Sequence, residues 1–112
     1  MTEAEYEAAA LPELASLVAA LDEIDAPSFE AELAADNLTL EFPDGTRYVL
    51  NSHRAARQIW MAAERSAWHF DFVPQTKRWV AAKSGDELWS TVSRMLTKKL
   101  GAPVTLDPSR SP

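Results

Sequence analysis

Apolar residues recur at steps of three and four along the first two dozen positions. Tyr6, Ala10, Leu14, Leu17, Leu21 and Ile24 fall on one stripe, which predicts an amphipathic helix over residues 2–25. Pro12 lies inside the pattern. It removes a backbone donor and crowds the preceding turn, so a kink is expected there, or a helix that firmly begins near Leu11. Ala26 and Pro27 end the element. From Ser28 the period changes to two, as in strands with one buried face. Phe29, Ala31 and Leu33 point one way and Glu30 and Glu32 the other. Leu38, Leu40 and Phe42 mark the inner side of a second strand, Pro43-Asp44-Gly45 a tight turn, and Tyr48 and Leu50 a third strand.

Residues 57–61 alternate again, with Ile59 and Met61 on one face and Gln58 and Trp60 on the other. In residues 68–73, Trp68, Phe70 and Phe72 share one face and His69 and Asp71 the opposite one. A short last strand is expected over 78–82. The connections, residues 52–56 (with His53 read as a loop residue), 64–67 and 74–77, are short. Short connections permit a meander and exclude parallel crossovers. Lys83-Ser84-Gly85-Asp86 opens a second helix, with Ser84 as N-cap and Asp86 and Glu87 in the first turn. Leu88, Trp89, Val92, Met95, Leu96 and Lys99 form its stripe, and Gly101 stops it. Residues 102–106 read as extended and 107–112 as a flexible tail. The expected fold is α+β: a two-layer α/β sandwich, an antiparallel sheet of about six strands with both helices on its one apolar face. A length of 112 residues suits one domain, placed at residues 1–106.

Composition narrows the chemistry. The chain has no cysteine, which removes disulfides, thiolate metal sites and cysteine nucleophiles. No apolar run approaches membrane-span length, and the N-terminus lacks a basic segment of the signal-peptide kind, so no membrane and a bacterial cytoplasmic location are expected. Charge is segregated. Residues 1–46 hold 12 of the 17 acids and none of the 11 lysines and arginines, so they carry −12 and the remainder +6 of the net −6. The acidic pole suits hard cations or a basic protein surface and argues against nucleic acid there. Its plain alternative is a solvated surface kept for solubility.

Trp60 belongs on the polar side of the sheet. A large aromatic beside an amide on such a face is the kind of residue that anchors a partner. The competing reading has it covered by a loop, by an arginine stem or in a second small core. His69 and Asp71 share a face, but neither a serine or cysteine nucleophile nor a glycine-rich phosphate loop accompanies them. The bases Arg47, Arg54, Arg57, Arg65, Lys77 and Arg78 with Trp60 alone make a thin case for single-stranded nucleic acid.

Asn51, Gln58-Ile59-Trp60, His69-Phe70-Asp71, Arg78-Trp79-Val80 and Ser84-Gly85-Asp86, in this order of elements, resemble the frataxin family in its bacterial, CyaY-type form. The likeness spans residues 5–106. It implies a small iron-binding protein of iron–sulfur cluster assembly. Acids of the first helix and strand would form a ridge that binds iron and contacts the cysteine desulfurase. Carried over, the ridge is Glu3, Glu7, Asp22, Glu23, Asp25, Glu30 and Glu32, and the sheet-face partner site is Asn51, Arg57, Gln58 and Trp60. The chain departs from the pattern at Val18 and Ala19, where bacterial members usually carry acids, and at Glu7, where a histidine is often found. Leu11 and Leu14 also interrupt the charged side. Asp22, Glu23, Asp25, Glu30 and Glu32 are therefore the stronger metal candidates.

Such carboxylates are hard oxygen ligands that would hold ferrous or ferric iron weakly and exchangeably. The implied partners are the desulfurase and the cluster scaffold protein. A monomer is expected, with iron-driven association. Three functions follow: an iron-responsive modulator of the desulfurase and iron donor to the scaffold, a metal-independent interaction module on the same complex, and an enzyme oxidising ferrous iron. The last is disfavoured because no buried ligand set is legible.

Overall fold

The computed structural model describes residues 2–24 and 29–106. Helix α1 (Glu3–Asp22) is followed by β1 (Glu30–Ala34), β2 (Asn37–Glu41), β3 (Arg47–His53), β4 (Gln58–Ala63), β5 (Ser66–Val73) and β6 (Arg78–Val80), then helix α2 (Leu88–Leu100). The strands form one antiparallel sheet in the order β1-β2-β3-β4-β5-β6, a pure meander. The expectations for Asp25, for the break at Ala26-Pro27, for the strand start at Ser28 and for the tail at 107–112 lie outside the described residues.

α1 begins at Glu3 and not near Leu11. The Thr2 hydroxyl accepts the Glu5 N–H at 3.1 Å, and the Glu5 carboxylate accepts the Thr2 N–H at 2.9 Å. This capping box satisfies two of the orphan donors at the helix start. Pro12 sits within the helix on its exposed side. The carbonyl that loses its partner there belongs to Ala8, which is also exposed, so water can replace the missing donor. Tyr6, Ala10, Leu14, Leu17 and Leu21 are buried, as their spacing predicts. Leu14 is thus a core residue and does not interrupt the charged side. Leu11 is 45% exposed on the outer side.

Register sorts the sheet into two faces. Leu38, Leu50, Met61 and Trp68 are cross-strand neighbours in one row, and Ser52, Ile59 and Phe70 in another. Both rows lie on the helix side with Leu40, Tyr48 and Trp79, which are fully buried. The opposite face carries Asn37, Asn51, Trp60 and His69 in one row and His53, Gln58, Asp71 and Val80 in the next. Neither helix covers this face. Tyr6 ties α1 down by donating its hydroxyl to the Gln58 carbonyl at 2.7 Å. Its ring meets Trp79 edge-on, 6.1 Å between centroids.

α2 starts later than Ser84 suggests. Its N-cap is Glu87, whose carboxylate accepts the N–H groups of Trp89 and Ser90 at 2.9 and 3.0 Å. Ser84 is engaged elsewhere, donating to Asp86 at 2.9 Å. The Gly85 N–H closes a turn onto the Ala81 carbonyl, and the Ala81 N–H bonds the Asp86 carbonyl. A bridge between Val80 and Glu87 then keeps the chain extended up to the cap. Asp86 and Glu87 therefore precede the helix. Gly101, at φ 70°, ends it with its N–H on the Thr97 carbonyl. Residues 102–106 run back along α2 as irregular backbone. Val104 bonds Thr97, and the Leu106 N–H donates to the Ser93 hydroxyl. Among the described residues no helix is long and apolar enough to cross a membrane.

Candidate functional site: the open sheet face and the acidic surface

Trp60 stands on the uncovered face, as the alternation predicts, and it is half-buried there. Two imidazoles flank it. His53 stacks on one side with ring centroids 3.8 Å apart and His69 on the other at 4.3 Å. The indole N–H donates to the Gln58 side-chain oxygen at 2.8 Å, and the Gln58 amide donates to Asp71 at 3.0 Å. Asp71 is therefore a structural acceptor that orients the amide and, through it, the indole.

His53 is the last residue of β3 and not a loop residue, because β3 runs longer than its apolar pattern alone suggests. Asn51 lies directly across from Trp60 and donates to the Ser52 carbonyl. Arg57 lies one residue before β4, outside the strands that carry the other three partner-site residues. It closes the β3–β4 turn at φ 53°, exposed, before the strand begins.

The acids separate into two groups. Glu3 and Glu7 lie at the start of α1 and share Arg54, at 3.6 and 3.0 Å. An ion pair this exposed contributes little stability, but it places a cation where a metal ion was expected. Asp22 and Glu23 close α1 and are exposed. Glu30 and Glu32 are exposed on the edge strand β1. Glu30 faces Glu41 across the ladder, and Glu41 is itself paired with Arg47 at 3.2 Å. Asp25 lies outside the described residues. Among the described residues no three His, Asp or Glu side chains gather as a metal-binding group. The carboxylates are thus separate oxygen donors on a water-facing surface. The neutralising reach of Arg54 was not legible in the pattern, since 47 and 51 residues separate it from Glu7 and Glu3.

A six-stranded meander backed by its two terminal helices, with its chemistry on outer surfaces, is a two-layer sandwich of the frataxin type. Residues 1–102 match the frataxin-like domain, and the chain belongs to that family. It is 34% identical to an iron–sulfur cluster assembly protein CyaY of Paraburkholderia phymatum, covering 96% of this chain and 100% of that one. Its identity to the CyaY protein of Ralstonia nicotianae is 36%, over 95% of each. The frataxin of Psychromonas ingrahamii superposes with a TM-score of 0.84 at 24% identity, covering 94% of this chain and 97% of that one, a likeness of fold. A trimeric frataxin from Saccharomyces cerevisiae, solved in complex with ferrous iron, superposes with a TM-score of 0.72 at 26% identity, over 83% and 86% of the two chains.

Proposed function

We propose that this protein works in iron–sulfur cluster assembly, as an iron-responsive modulator of the cysteine desulfurase that also meets the cluster scaffold and can donate iron to it. The observation that carries this reading is the likeness, over nearly the whole chain, to proteins named for that process. The yeast relative solved with ferrous iron supports iron as the ion. Iron is cargo here and not a resident cofactor. Asp22, Glu23, Asp25, Glu30 and Glu32 are the proposed contacts, since Arg54 already occupies Glu3 and Glu7. Isolated surface carboxylates leave most of the ion's water ligands in place, so binding is weak and exchangeable. That suits delivery or sensing. The Trp60 face, on the side away from the helices, is the proposed scaffold contact, with Asn51, Arg57 and Gln58 around it. The protein alone is a monomer in this reading, and iron drives its association.

An anaerobic amide NMR titration with ferrous iron tests the metal half. Selective broadening around Asp22, Glu23, Glu30 and Glu32, with the strand of Trp60 untouched, is expected. A free cation at about ten times its Kd adds roughly 1.4 kcal/mol of stability, so the melting temperature rises by several degrees. A uniform spectrum and an unmoved melting temperature in millimolar ferrous iron would remove the metal role.

The second reading is a metal-independent interaction module. The capture of Glu3 and Glu7 by Arg54, and the lack of a gathered ligand set among the described residues, favour it. Reversing the charges of Asp22 and Glu23 weakens desulfurase binding under both readings. Only the iron-responsive one makes the effect on desulfurase turnover depend on iron.

A further inference from the structure

Adjacent strands of a sheet lie about 4.8 Å apart. Flat rings that stand upright on neighbouring strands of one face therefore meet close to stacking distance. His53 on β3, Trp60 on β4 and His69 on β5 do so, with planes inclined by only 16° and 17°. The stack runs across the strands, so the rings stand up from the sheet. His69 is exposed and His53 and Trp60 partly so, and a ring stacks on each face of the indole. Each flanking ring is itself placed by backbone. His69 is directly opposite Trp60 in register. His53 accepts the Ala56 N–H on Nδ1 at 3.2 Å, which anchors it to the turn ahead of β4. The two imidazoles lie on opposite sides of a ring, so they do not close on one metal ion, whose bonds to imidazole nitrogen span about 2.0–2.1 Å for zinc. Their shared neighbour is the indole.

We propose that His53 and His69 are positioning residues that hold Trp60 upright, so that a protein partner meets an ordered three-ring ridge instead of a mobile indole. This rests on the reading in which the Trp60 face contacts the scaffold. The physical gain is preorganisation. A rotamer fixed before contact loses less freedom on binding, and aromatic anchors are effective when they are rigid. The relay from Asp71 through Gln58 to the indole N–H fixes the remaining torsion and engages that N–H inside this chain.

The test uses the full chain with His53→Ala, His69→Ala, His53→Phe, His69→Phe and Trp60→Ala. Relaxation of the Trp60 indole ¹⁵N is measured on the free protein. Affinity for purified scaffold protein is measured by calorimetry, and melting temperature is recorded alongside. Each alanine variant is expected to loosen the indole N–H and to weaken scaffold binding roughly 2- to 10-fold, the range one aromatic contact spans. Each phenylalanine variant, which keeps a flat ring in the stack, restores both. An indole as rigid in the alanine variants as in the unmodified protein overturns the proposal. So do phenylalanine variants that bind as weakly as alanine. Full-strength binding by Trp60→Ala overturns the partner-face reading instead, and the partner-free relaxation data distinguish the two failures.

Discussion

The indole N–H of Trp89, in the closing helix, donates to a carboxylate oxygen of Glu13, in the opening helix, 76 residues earlier. Trp89 is buried and Glu13 half-buried, so the bond pins the two helices together over the sheet. Burial pushes the Glu13 carboxyl above its ordinary range. The Trp89 hydrogen bond and Arg78 oppose that shift, and Glu87 adds to it.

A raised folded pKa means that the ionised carboxylate is tolerated less well in the fold than in the unfolded chain. The resulting cost is complete above the folded pKa and absent below the ordinary value of 4.5. Glu13→Gln keeps an acceptor for Trp89 and removes the charge. It is expected to raise the melting temperature at pH 7, with the advantage gone by about pH 4. Glu13→Ala strands a buried indole N–H and is expected to cost about 1–3 kcal/mol. Thermal melts of both variants between pH 4 and pH 8 check this; a Gln variant less stable than the parent at pH 7 would contradict it.

The Tyr48 hydroxyl donates to Glu64 at 3.1 Å. Burial, then the Glu64 hydrogen bond and charge, push its pKa up to about 12. Tyr6, the other tyrosine, is also shifted upward, chiefly by burial. The neutral phenol is thus favoured by folding. Its stabilisation is complete below the unfolded pKa of about 10 and is lost as pH rises through the folded value. An absorbance titration is expected to show less than half of the tyrosine ionised at about pH 10 while the fold persists. Glu64→Gln should bring the Tyr48 midpoint down. Half-ionisation at pH 10 in a protein still folded by circular dichroism counts against the assignment.

Trp60→Ala removes two stacking contacts from an uncovered face. It is expected to cost about 1–2 kcal/mol. Phe70, fully buried across the sheet, is expected to cost about 3–5 kcal/mol on truncation to alanine. Urea unfolding of the two variants measures the contrast. Equal losses would place Trp60 in the core and remove its partner role.

Ala35 turns the chain between β1 and β2 at φ 57°. An L-residue in this left-handed region carries roughly 1–2 kcal/mol of strain. Glycine relieves it and gives back about 0.4–1 kcal/mol through a freer unfolded chain. Ala35→Gly is therefore expected to stabilise by up to ~1.6 kcal/mol. A shift of the denaturation midpoint to lower denaturant would refute this.

The order of elements, the core stripe of α1 and the side of the sheet on which Trp60 stands were all legible in the chain. Each follows from a repeat of 3.6 or 2.0 residues, which the local backbone imposes on neighbouring side chains. The same reasoning failed wherever a distant segment intervened. Ser84 has the chemistry of an N-cap, yet its turn with Ala81 and the bridge from Val80 to Glu87 hand that role to Glu87. Glu3 and Glu7 read as free ligands until folding brings Arg54 beside them. Likewise, His53 and His69 lie seven and nine positions from Trp60 on either side. Only the register of three strands stacks them on its two faces. Periodicity is a property of the backbone and can be read from composition and spacing. Stacking, ion pairing and the helix-to-helix bond of Glu13 with Trp89 depend on distances between remote segments, and those distances exist only once packing has closed the fold.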